Sequence, residues 1–120
     1  MSRKPAIHDA EASVVVSHGA DFFGQDRHLL KEVTALAAWV TNSVSYNDRQ
    51  AVAPLVAAME RPEALTFPAA DAARVSEQLL KVSRDRHIKP RASALARALA
   101  DAAARAAADD EPWEWTVEAA

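Results

Sequence analysis

The sequence predicts an α+β fold: a small sheet formed by N- and C-terminal strands, packed against about four helices. Three observations predict it. Ser13-Val14-Val15-Val16-Ser17 is a short β-branched run, suited to extended structure buried on both faces. Trp113, Trp115 and Val117 alternate with polar residues, the period of a half-buried strand. Between them the apolar residues recur at helical spacing. A strand at each end with nothing else to pair would leave backbone groups unsatisfied, so the two ends are expected to meet.

The elements follow in order. Residues 1–12 are polar and aperiodic and read as a flexible tail, leaving 13–120 as a single domain. Residues 18–25 form a loop after the first strand, holding the only two glycines of the 120 residues, Gly19 and Gly24. A helix is expected from Asp26 to about Val44, with Leu29, Leu30, Val33, Leu36, Ala37, Val40 and Val44 on one stripe and Trp39 at its edge. Asp26 favours its positive end. A second helix spans about 48–60, with Asn47 and Gln50 spaced as a capping box. Pro54 predicts a kink there, or a start nearer Ala53. Leu65-Thr66-Phe67 reads as a short strand, and Pro68 suits the first turn of a third helix over 68–84. Pro90 opens a fourth helix over 90–108, rich in alanine and so high in intrinsic propensity. Asp109-Asp110-Glu111-Pro112 stops it.

Composition bounds the function. At 12.9 kDa the chain has room for one modest core. Apolar residues are 50% of it and charged residues 26%, in the range of folded soluble domains. Alanine supplies roughly a quarter of the residues and buries little area. The leucines, valines, Phe22, Phe23, Phe67 and the tryptophans are therefore expected to carry the hydrophobic stabilisation. The absence of cysteine excludes disulfides, zinc–thiolate sites and thiol catalysis, and it fits a cytoplasmic location. No apolar run approaches the ~20 residues that span a bilayer, so no membrane partner is expected. The net charge of -3 gives no global attraction to nucleic acid.

Three groups of residues are candidates for function. His18, Asp21, Asp26 and His28 cluster in sequence around the glycine-flanked loop. Imidazole and carboxylate both bind divalent metals, and His18 and Asp21 are also the candidates for catalysis. Their spacing matches no metal motif, and backbone-bonding roles for His18 and Asp21, with Asp26 as a cap, explain them without a ligand. No cofactor is expected. Gly19 and Gly24 have the spacing of a P-loop, but Gln25-Asp26 stand where that loop needs Lys and Ser or Thr. The glycines are expected to supply positive φ instead.

The second group is basic: Lys81, Arg84, Arg86, Lys89 and Arg91, with His87 among them and Asp85 opposing. It spans a helix end, a turn and a helix start, as a helix-turn-helix or a phosphate grip would. Cations also favour a helix C-terminus, and the acidic residues 109–118 are expected to face them. The third group is Trp113 and Trp115, either core or a partner-binding surface on an edge strand.

Two resemblances attach to these residues. Val14-Val15-Val16-Ser17-His18-Gly19 resembles the first strand and histidine of mannose-type sugar-transport phosphocarrier domains, which implies a phosphoryl-acceptor role for His18. The later sequence lacks the β-α alternation that such a parallel sheet requires. The segments at 15–24, 26–28 and 111–116 resemble an uncharacterised family of small actinobacterial proteins, over about 13–117. That resemblance implies no activity. The leading expectation is a small non-catalytic interaction or regulatory module of a bacterial or phage pathway, with a protein partner or self-association. The alternatives are nucleic-acid binding through 81–91 and a His18-centred phosphocarrier or metal-dependent activity.

Overall fold

The valine run and the tryptophan strand do meet. The structure is a computed structural model that describes residues 12–119, so nearly all of the expected tail, residues 1–11, lies outside the described residues. Strand β1 (Ser13–Ser17) pairs antiparallel with β4 (Trp113–Glu118), with Val14 opposite Val117 and Val16 opposite Trp115. Two further strands complete a four-stranded sheet of order β2-β1-β4-β3, antiparallel throughout. Strand β3 is Leu65–Phe67, as expected, at the edge beside β4.

Strand β2 (Gln25–Leu29) was not anticipated. The expected helix from Asp26 begins instead at Leu30, as α1 (Leu30–Asn42), after the chain has folded back along β1. Gln25-Asp26-Arg27-His28 has no apolar alternation, so nothing local marks it as a strand. Its backbone is held by the register Ser17 to Gln25 through Ser13 to Leu29. That pairing satisfies amide and carbonyl groups on the β1 edge that β4 leaves free.

The other helices follow expectation more closely. Helix α2 (Arg49–Glu60) runs through Pro54 without a break. Pro54 has no N–H to offer the carbonyl one turn back, and the buried Val52, Leu55 and Met59 hold the helix to the core across that gap. The expected Asn47–Gln50 capping box is absent: a 3-10 turn at Tyr46–Asp48 leads in, and no side chain caps the helix. Helices α3 (Ala69–Ser83) and α4 (Pro90–Ala108) form an antiparallel hairpin. Ser76 donates to the Ala100 carbonyl at 2.8 Å, and Ser93 donates to the Ser83 carbonyl at 2.7 Å. Ala96, Ala100, Ala103 and Ala106 are wholly buried, so the alanine face of α4 is where its neighbours approach closely.

The core lies between one face of the sheet and helices α1, α3 and α4, and α2 extends it with Val52, Leu55, Ala58 and Met59. Val14, Val16, Trp113, Trp115 and Phe67 supply it from the strands. Phe67 stacks on Trp113 at 5.7 Å, and Trp115 meets Trp113 edge-on at 5.5 Å. On the other face Val15 is also buried, as the β-branched run implies, with Arg27 and Thr116 beside it. No helix among the described residues is long and apolar enough to cross a membrane.

Candidate functional site

The loop between β1 and β2, residues 18–24, is where the polar groups concentrate. The Gly19 amide donates to the Gly24 carbonyl at 3.0 Å, and the Asp21 amide to the Gln25 carbonyl at 3.1 Å. One carboxylate oxygen of Asp21 accepts from the amides of Phe23 and Gln25, both at 2.8 Å. Asp26 accepts from the Ala20 amide at 2.8 Å. Asp21 thus organises loop backbone, as the sequence allows, whereas Asp26 sits on β2 and holds the Ala20 amide instead of capping a helix.

The two glycines do different work. Gly24 has φ +73°, the left-handed conformation expected of it. Gly19 is required by space: a Cβ there would stand 2.2 Å from the Asp26 amide nitrogen. The other left-handed residue of this loop is His18, at φ 60°, not Gly19. Histidine tolerates this conformation better than most residues do.

His18 closes a clasp between the hairpin and the far end of the chain. The Glu114 amide donates to the Ser17 hydroxyl at 2.9 Å, and that hydroxyl lies 3.0 Å from His18 Nδ1. With the Ser17 proton directed to Nδ1, the ring keeps its proton on Nε2, which donates to Glu111 Oε1 at 2.7 Å. Arg105 donates to the His18 carbonyl at 2.7 Å, and the Trp113 indole donates to the Ser17 carbonyl at 2.9 Å. Serine, histidine and glutamate here form a chain of hydrogen bonds joining β1 to the α4–β4 turn.

This geometry weighs against chemistry at His18. Both ring nitrogens are engaged, and the one facing solvent meets a carboxylate, which repels an incoming phosphoryl group. The antiparallel partners on both sides of β1 also differ from the parallel sheet that the phosphocarrier resemblance implies. The structure does not gather His18, Asp21, Asp26 and His28 around one point. The group it does gather is His18, Asp109 and Glu111, whose ligand atoms lie within 4.8 Å of one another. A cation there would have to displace the Nε2–Glu111 hydrogen bond, so the arrangement reads as a clasp.

His28 lies on β2, not in a first helical turn, and its ring points to the core side with Val14. Its Nε2 is buried without a hydrogen-bond partner among the described residues. Burial pushes its pKa below the usual 6.5, against the opposing pull of Asp26 and Glu32.

Trp113 and Trp115 are 0% and 1% exposed, which removes them as a docking surface and makes them the largest pieces of the core. Besides Tyr46, the exposed aromatics are the two phenylalanines that the sequence assigns to the interior. Phe22 is 94% exposed and Phe23 81%, side by side at the tip of the hairpin with ring centres 5.2 Å apart. The signal available in the sequence was their position: they fit neither the strand alternation before them nor the helical stripe after them.

The basic residues Lys81, Arg84, Arg86, Lys89 and Arg91 are all exposed around the α3–α4 turn. Arg91 pairs with Glu32 at 2.6 Å, and the other four make no ion pair among the described residues. The acidic residues expected to face them are elsewhere: Asp109 and Glu111 lie beside His18, and Glu118 pairs with Arg27. The antiparallel packing of α3 on α4 also differs from the steep crossing of a helix-turn-helix.

The family described as Domain of unknown function (DUF7739) matches residues 19–116, from the hairpin loop through the tryptophan strand. The chain belongs to that family. The match takes in both the Phe22–Phe23 tip and the Trp113–Trp115 core. No curated protein matches the chain, and no solved structure does.

Proposed function

We propose that this protein is a non-catalytic interaction module whose docking element is the β1–β2 hairpin tip, with Phe22 and Phe23 as the anchors. The observation that carries the reading is the near-complete exposure of two adjacent phenylalanines on a loop fixed by its own hydrogen bonds. Fully burying two such side chains is worth about 3–6 kcal/mol, which the isolated chain forgoes. The loop is also pre-organised. Asp21 ties down the amides of Phe23 and Gln25, and the His18 clasp anchors the base of the hairpin, so a partner meets little ordering cost. One buried cluster drawn from strands and helices alike supports treating 13–120 as a single unit. The cysteine-free composition supports a cytoplasmic site of action, and the alanine-heavy, arginine-over-lysine usage supports an actinobacterial source.

Photo-crosslinking in cells tests the reading. A benzophenone side chain at position 22 is expected to give a covalent adduct of discrete mass, and the same group at exposed Ala104 is expected to give none. Equal labelling from both positions, or none from either, would remove the tip as a docking element.

A second reading rests on the unpaired cations Lys81, Arg84, Arg86 and Lys89, which would grip phosphates. It predicts retention on DNA or RNA that weakens steeply with salt and is lost when Arg84, Arg86 and Lys89 become alanine. No retention at low salt ends it.

A further inference from the structure

The hairpin tip and the basic turn stand at opposite ends of α4. Arg105, near the helix C-terminus, holds the His18 carbonyl at the hairpin base. Arg91, at its N-terminus, holds Glu32 in the first turn of α1. A helix of 19 residues is about 28 Å long at 1.5 Å per residue, so the two ends are well separated. A groove of about 230 Å³ opens between α1 and α4 at the basic end. Trp39, Ala35, Ala92 and Leu95 line it, and Lys89 and Arg91 stand at its rim. A cavity of roughly 150 Å³ holds a benzene ring. The groove therefore has room for a phenylalanine ring and part of a second.

The charges match as the shapes do. The hairpin loop carries Asp21 and Asp26, and Asp109 and Glu111 stand beside His18 at its base, where Arg105 holds the His18 carbonyl. Lys89 and Arg91 line the groove with Glu32, and Arg84 and Arg86 lie, with Asp85, on the turn that leads into α4. An acidic pole carrying an apolar knob and a basic pole carrying an apolar groove are complementary on the same chain. We infer that the occupant of the groove is a second copy of this chain, docked head to tail with its Phe22–Phe23 tip between α1 and α4. The inference rests on the proposed docking role of the tip. Such a contact uses two different patches, so it propagates into chains or closes into rings and does not stop at a symmetric dimer.

Sedimentation velocity over micromolar to millimolar protein tests it. The wild-type mass is expected to rise with concentration, and to rise less at high salt because the poles are screened. Phe22→Ala/Phe23→Ala removes the knob at exposed positions and lowers the association constant about a hundredfold, the scale expected when two anchors are lost. Ala35→Glu, at an exposed position of α1, fills the groove and opposes the acidic tip. Each variant alone stays monomeric. Mixed in equal amounts they give a one-to-one dimer and nothing larger, because one keeps its groove and the other its knob. Lys89→Glu replaces Ala35→Glu should circular dichroism show the latter unfolded. A wild type that stays monomeric to millimolar, a mixture that stays monomeric, or assembly that survives in either variant overturns the inference. An adduct from position 22 to a different protein would leave the tip's docking role standing and remove the second copy as its partner.

Discussion

Two aromatic clusters in this chain have opposite fates. Trp113, Trp115 and Phe67 interlock in the core, and Phe22 and Phe23 stand in solvent at the hairpin tip. Hydrophobicity alone ranks them together; neighbours separate them. Trp113 and Trp115 alternate with polar residues on a strand that has a partner on each side, so their faces are fixed by register. Phe22 and Phe23 are consecutive in a loop whose backbone is committed to Asp21 and to the Gly19–Gly24 closure, which carries both rings outward. The first cluster holds the fold, and the second is free for association.

The largest effect expected is on the core cluster. Trp113→Ala removes a fully buried indole and its hydrogen bond to the Ser17 carbonyl. It should cost about 3–5 kcal/mol in urea unfolding. Gly19→Ala comes next, because its Cβ would meet backbone and not a flexible side chain. A loss of about 3 kcal/mol is expected, near the upper end for overpacking, with the hairpin amides losing protection from hydrogen exchange. A stable Gly19→Ala variant would show that the tip is less fixed than its role requires.

His18→Ala cuts the clasp between the two ends of the chain. Breaking it should cost about 1–2 kcal/mol, the scale of the part-buried bond to Ser17 and the exposed bond to Glu111 lost together, without unfolding the domain. The crosslinking yield from position 22 should fall with it, as the hairpin base loosens.

A smaller effect concerns pH. The His28 pKa lies below 6.5 in the folded chain because burial disfavours the cation. In the unfolded chain it returns to about 6.5. The unfolded state therefore binds more protons below that pH, and stability is full above 6.5 and declines as pH falls through the folded value. Urea midpoints at pH 7.5 and 5.5 should show the decline, and His28→Leu should flatten it while removing an unpaired buried nitrogen.

How much of this was legible depended on how local the cause was. The span of about 90–108 is readable, because Pro90 sets the start and Asp109 through Pro112 set the stop. The pairing of the chain ends was readable because each strand needed a partner. Strand β2 was not, since Gln25–Leu29 owes its conformation to β1 and carries no periodicity of its own. The clasp is equally hidden: His18 and Glu111 are 93 residues apart, and no sequence spacing pairs them. The sequence marks His18 and Asp21 as loop residues, and the partners that define their roles come from the fold. Composition counts Phe22 and Phe23 as core, because it registers apolar area and not which way a loop turns it.

Equilibrium urea unfolding of Phe22→Ser/Phe23→Ser, at protein concentrations low enough to keep the wild type monomeric, tests the division between the two clusters most directly. The folding free energy should stay within about 0.5 kcal/mol of wild type, as for other surface substitutions. A loss of about 2 kcal/mol or more would place the pair in the core and leave the tip with no apolar surface to offer a partner.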